Sequence, residues 1–182
     1  MTKLTMRNGK EIEIRAVSSY LISSVRQKTR EDFEAERGSL PTAPTYDVEM
    51  GGGLPGLDTW AETFEYTAET IQDAPSDAQH AWAEYQQAQK DLFGMIWLRT
   101  SRVHLLEGVV TEPPDDGWLE RQQKHGAKTP IDPDDLKVHW IETELVINPH
   151  ELGMLVSTIQ AQGNAVEVAR QTAADMFQRA MG

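Results

Sequence analysis

Apolar and polar residues alternate near the start of the chain, and further on the period lengthens. Leu4 and Met6 alternate with Lys3, Thr5 and Arg7, while Ile12 and Ile14 alternate with Glu11, Glu13 and Arg15. A period of two predicts strands, and Asn8-Gly9 between the two runs predicts a hairpin. The register follows from requiring both apolar sets on one face. A two-residue Asn8-Gly9 loop would set Leu4 opposite Glu13 and Met6 opposite Glu11, which splits the set between faces. A three-residue loop, Arg7-Asn8-Gly9, sets Leu4 opposite Ile12 and Met6 opposite Lys10. The apolar faces then coincide, and Gly9 takes the left-handed position of a bulge. A hairpin alone is marginal in water, so this one is expected to pack on helices or further strands.

The run Tyr20-Leu21-Ile22-Ser23-Ser24-Val25-Arg26 reads as helix. Two more alternating runs, at 45–50 and 63–67, put Tyr46, Val48 and Met50 on one face and Phe64 and Tyr66 on another. They are expected to extend the first hairpin into a small sheet, with the glycine-rich stretch between them mobile. A long helix is predicted over 76–108, with Ser76 as its cap after Pro75 and Gly108 as its stop. Its stripe is Trp82, Tyr85, Leu92, Met95, Ile96, Arg99, Val103 and Leu106. Gly94 either weakens this helix or admits a close neighbour.

A short helix is predicted over 116–124. The next opens at Asp132-Pro133-Asp134-Asp135 and runs to about 147. Leu136, Trp140 and Ile147 fall on one side of it, and Val138, Ile141 and Leu145 on the other. A helix apolar on two sides is buried between layers, which places this one at the centre of the fold. Asn148-Pro149 starts a further helix with the stripe Leu152, Leu155, Val156 and Ile159. Gly163-Asn164 is read as a break before a last amphipathic segment. The fold class is therefore α+β, a small antiparallel sheet on a mainly helical body. One domain over 1–163, with an acidic loop-rich insert at 38–75, precedes a C-terminal amphipathic helix at 164–182.

Charge sharpens this picture. The chain carries 29 Asp and Glu against 17 Lys and Arg, a formal charge of −12. Such a surface repels phosphate backbones and anionic bilayers, so neither nucleic acid nor membrane is an expected partner. Between Arg37 and Lys90 there is no Lys or Arg at all, but there are nine acids, from Asp47 to Glu84. There is no cysteine, which excludes disulfides and thiolate metal sites. The start of the chain lacks the pattern of a secretory signal, and no run approaches the roughly 20 apolar residues of a membrane span. A cytoplasmic location is expected.

Candidate chemistry is sparse. His139 and Glu142 stand three apart, with Glu144, His150 and Glu151 near in sequence, a spacing used in carboxylate-bridged metal sites. No second matching pair exists, so no metal or cofactor is expected, and His139 is expected to bond a carboxylate. Asp115-Asp116 and Asp132, Asp134 and Asp135 lack the order of a calcium loop and suit helix N-termini instead. Gly51-Gly52-Gly53 has no following Lys-Ser or Lys-Thr and is no phosphate cradle. No Gly-x-Ser-x-Gly elbow is present. The candidate partner-binding residues are Trp60, an aromatic side chain in a polar stretch, together with Tyr46, Phe64 and Tyr66.

The succession of blocks resembles that of the siphophage tail assembly chaperones. The carrying residues are the 4–15 hairpin with Ala16-Val17-Ser18-Ser19-Tyr20-Leu21, then Pro44-Thr45-Tyr46-Asp47-Val48-Glu49 and Ala81-Trp82-Ala83-Glu84-Tyr85. Pro114-Asp115-Asp116-Gly117-Trp118 and 136–144 complete the series. The resemblance implies a non-enzymatic factor that binds the tape-measure protein, tail tube subunits or both in the host cell cytoplasm. It carries no catalytic motif over. Two other expectations compete. One is a structural virion protein of the tail or head–tail connector, retained in the particle and self-associating as a homo-oligomer. The other is a metal-dependent hydrolase built on His139 and Glu142.

Overall fold

In the computed structural model, which describes residues 2–6, 8–51, 59–112, 114–126, 128–146 and 148–181 (side chains as far as 173 in the last helix), the opening hairpin forms in the expected register. Strand β1 (Thr2–Thr5) pairs antiparallel with β2 (Glu11–Ile14), Leu4 opposite Ile12. The Met6 amide donates to the Lys10 carbonyl at 2.8 Å, and Gly9 has φ +80°, the left-handed conformation the turn demands.

Helix α1 spans Ser19–Arg37, β3 Thr45–Gly51 and β4 Thr59–Glu65. A single 3₁₀ turn at Thr70–Asp73 precedes α2, Ser76–Gly108, and β5, Val109–Val110. Helices α3 (Asp116–Lys124), α4 (Pro133–Trp140) and α5 (Pro149–Met181) follow, with a π-helical turn at Ile141–Leu145 after α4. The class is α+β. The chain divides into two compact units, one of Met1–Lys28 with Trp97–Gly182, the other of Thr29–Ile96.

In the larger unit the order of strands is β1-β2-β5. The third strand is thus Val109–Val110 and not the pair at 45–65, which forms a separate two-stranded ribbon, β3-β4. The free edge of β2 is taken by the chain leaving α2, with the Arg15 amide donating to the Gly108 carbonyl at 2.9 Å. The core of this unit joins Met6, Ile12 and Ile14 from the hairpin to Leu105 and Val109, to Val138, Ile141 and Leu145, and to Leu155, Val156 and Ile159.

Local chemistry explains the helix ends. Asp115 accepts from the Trp118 amide at 2.6 Å, and Asp132 from the amides of Asp134 and Asp135, so both acid clusters act as caps. Asn148 accepts from the Glu151 amide at 3.0 Å, with Pro149 in the first helical position. The Asn8 side-chain amide donates to the carbonyls of Glu144 and Leu145, tying the hairpin turn to the end of the π-helical turn.

Three expectations are corrected. The helix opening at Asp132 is buried on one side, through Val138, Ile141 and Leu145, while Leu136 and Trp140 are half-buried because Trp140 borders an open cleft. Ile147 lies outside the described residues. In α2 the buried positions near the C-terminus are Thr100, Ser101, His104, Leu105 and Gly108, one step round from the expected stripe. Small residues let α5 come close there, and a Cβ on Gly108 would stand 2.5 Å from Ile159 Cγ2. Finally, α5 runs unbroken through Gly163 and Asn164, so 164–181 continues a helix that began at Pro149.

Candidate functional site

The smaller unit buries Thr29 and Phe33 of α1, Ile71 of the 3₁₀ turn and Leu92 of α2. Arg37 lies over the Phe33 ring, 5.1 Å from its centroid, and pairs with Asp91. Its hydrogen bond, aided by one from Gln87, holds the Asp91 carboxyl below the usual carboxylate range.

The ribbon β3-β4 belongs to this unit. Tyr46 is opposite Phe64, Val48 opposite Glu62, and Met50 opposite Trp60. Opposed residues share a face, and side chains alternate along each strand, so Tyr46, Val48, Met50, Trp60 and Phe64 lie on one side, with the Glu62 carboxylate among them. Strand β4 begins earlier than the pattern predicts, and this brings Trp60 into the ladder. Tyr66 follows the strand, its amide bonded to the Pro44 carbonyl at 3.0 Å. The Tyr46 ring centroid lies 4.7 Å from that of Tyr66 and 6.0 Å from that of Phe64. All four candidate residues are therefore on the ribbon or directly after it, three of them as a cluster of mutually tilted rings.

The opposite side carries Asp47, Glu49, Thr63 and Glu65, with the Thr63 hydroxyl donating to Asp47 at 2.7 Å. The aromatic side is not covered by the fold. Trp60 is 56% exposed, Phe64 40% and Met50 36%, and every residue of β4 is exposed. A two-stranded ribbon thus leaves most of its aromatic side open to water. Met50 belongs to the surface and was legible as a face residue of β3. The glycine-rich connection expected to be mobile, including Gly52 and Gly53, lies outside the described residues.

A cleft of about 610 Å³ in the larger unit is bordered by Lys10, Glu112, Trp118, Arg121, Trp140 and Glu144. Trp118 is 2% exposed and meets the His139 ring edge-on, 5.9 Å between centroids. Among the described residues neither Trp118 Nε1 nor His139 Nε2 has a hydrogen-bond partner, so none of them supplies the expected carboxylate to that nitrogen of His139. Lys10 is 3.6 Å from Glu144, and Glu11, Glu112 and Asp115 line the wall with Arg121, so acids outnumber bases there. Among the described residues no three His, Asp or Glu side chains are grouped as metal ligands. Among them, too, no helix is long and apolar enough to cross a membrane.

Sequence reasoning missed His104. It is 3% exposed, and its Nδ1 is 2.7 Å from the Thr100 carbonyl. Burial pushes its pKa below the ordinary histidine value of 6.5, more than the Thr100 bond raises it. It also missed Lys137, whose ammonium donates to the carbonyls of Leu106 at 2.6 Å and Val109 at 2.9 Å, and whose pKa burial lowers.

Comparison of the chain with protein-family models, with curated proteins and with solved structures gives no match.

Proposed function

We propose that this chain is a non-enzymatic binding protein of the siphophage tail assembly chaperone kind, acting in the host cell cytoplasm on the tape-measure protein, the tail tube subunits or both. The observation that supports this reading is the ribbon. Its aromatic side is open to solvent in a stretch with nine acids and no Lys or Arg. Such a surface suits a segment with apolar anchors flanked by cations. The acidic exterior repels other copies of the chain and keeps the aromatic side available. A partner that exposes long apolar stripes before it is enclosed needs such cover, and weak contacts repeated along it add up through multivalency.

The test is co-expression with the tape-measure and tube proteins encoded in the same genome. Co-purification that is lost in Trp60→Ser/Phe64→Ser, together with absence of the chain from mature particles by mass spectrometry, is the expected result. Stoichiometric presence in particles would replace this reading with that of a structural tail protein. Failure to bind either protein would end it.

A further inference from the structure

A second, smaller cavity of about 90 Å³ lies in the larger unit, where the first turn of α1 meets α2 and α5. Its polar lining is Ser19, Ser23, Arg26, His104, Gln160 and Asn164. In a chain of net charge −12, no carboxylate lines this space. The first turn of a 19-residue helix brings backbone amides without intrahelical partners and the positive end of its dipole to the same place.

The side chains are arranged as donors in waiting. Ser23, Arg26, Gln160 and Asn164 have no side-chain partner among the described residues. The Ser19 hydroxyl donates to Glu167 at 3.3 Å, and that carboxylate lies outside the lining. His104 is almost wholly buried, and its Nδ1 is turned back to its own helix, on the Thr100 carbonyl. That bond fixes the proton on Nδ1 and leaves Nε2, without a protein partner among the described residues, as a lone-pair acceptor on the ring edge left to meet the cavity.

We propose that this cavity binds a small oxyanion that keeps a proton, namely a phosphate group. Arg26, the Ser23 hydroxyl and the amides of the first turn of α1 receive its charged oxygens, and His104 Nε2 accepts from its P–OH. Burial favours the neutral ring this role requires. At about 30 Å³ for each water, the space suits some three waters or one phosphate group, so anything attached to the phosphate must project outward. The inference is independent of the tail-assembly reading.

Titration of the ¹⁵N-labelled protein near neutral pH, followed on the His104 ring nitrogens and the amides of Ser19 and Ser23, tests it. Inorganic phosphate is expected to give saturable shifts. Sulfate at matched ionic strength, having no proton to donate, is expected to bind at least tenfold more weakly. Arg26→Gln, at an exposed position, is expected to weaken phosphate at least tenfold, and Ser23→Ala to weaken it less, each with an unchanged melting curve. O-phosphoserine, compared with inorganic phosphate near pH 6 where a good part of the monoester keeps its second proton, separates the sources. If it binds as tightly as inorganic phosphate, the site takes a phosphate carried by another molecule; if it does not bind, the site takes the free ion. Shifts that stay linear in phosphate, equal or tighter binding of sulfate, or an unaltered response in Arg26→Gln would overturn the proposal.

Discussion

The carbonyl oxygen of Val17 stands 2.7 Å from where a side chain on Gly163 would begin. That approach is shorter than real Cβ contacts allow, and the obstacle is backbone, which cannot rotate away. Gly163→Ala should therefore destabilise the protein by about 1–3 kcal/mol, as overpacking does, despite alanine's better helix propensity. Gly153, in the same helix, has nothing within 4 Å of that position. Gly153→Ala should stabilise by about 0.5–1 kcal/mol. Urea midpoints moving in opposite directions for the two variants would confirm the close approach, and midpoints moving together would refute it.

Lys137 closes the end of α2. The last carbonyls of a helix have no intrahelical donor, and here the ammonium supplies one to Leu106 and another to Val109 of β5, while the Arg15 amide donates to Gly108. Lys137→Met keeps most of the apolar stem and removes the donor. The expected loss is about 1–3 kcal/mol, from carbonyls left without partners in a part-buried place. Amide exchange should also quicken at the C-terminal turn of α2. A urea midpoint equal to that of the parent chain would show that water replaces the ammonium without cost.

His104 makes stability depend on pH in a definite direction. Its folded pKa lies below 6.5, so on acidification the unfolded chain takes up the proton first. Its contribution is complete above about pH 6.5 and is lost as pH falls through the folded value. Melting temperature should decline between about pH 7.5 and pH 5.5, and His104→Gln, which does not titrate, should flatten that decline. An identical slope in both proteins would place the effect in other groups.

What the sequence revealed, and what it hid, divides along physical lines. The hairpin was legible to its register, because only one loop length puts Leu4, Met6, Ile12 and Ile14 on one face. The caps Asp115, Asp132 and Asn148 were legible because their signals lie within three residues of the helices they start. Gly163 was misread as a break, since local pattern cannot tell a glycine that ends a helix from one that lets another backbone approach. The partner of the β2 edge was also hidden. Val109–Val110 is too short to show a period, whereas the runs around Tyr46 and Phe64 show one and still pair only with each other. His104 and Lys137 carry no local pattern, because the carbonyl ends and neighbouring helices that give them roles are distant in sequence. The four aromatic residues of the candidate surface were found, and Trp60 joined them only because β4 starts at Thr59.

The aromatic side of the ribbon should be dispensable for folding and necessary for binding. Trp60 and Phe64 are substantially exposed, so Trp60→Ser/Phe64→Ser is expected to shift global stability by no more than about 0.5 kcal/mol for each site. If they anchor a partner, the same change should weaken its binding at least tenfold, about 1.4 kcal/mol. The acids around them add a second, separable expectation. Raising salt from roughly 0.05 to 0.5 M shortens the screening length severalfold, and affinity for a cationic partner should fall with it. Replacing Asp47 and Glu49 with Asn and Gln, on the opposite side of the ribbon, should lower that salt dependence while leaving the aromatic contact in place. Calorimetric titration of the parent chain and the two double variants at both salt concentrations measures the two contributions apart. Salt-independent binding that survives loss of Trp60 and Phe64 would locate the partner elsewhere on the molecule.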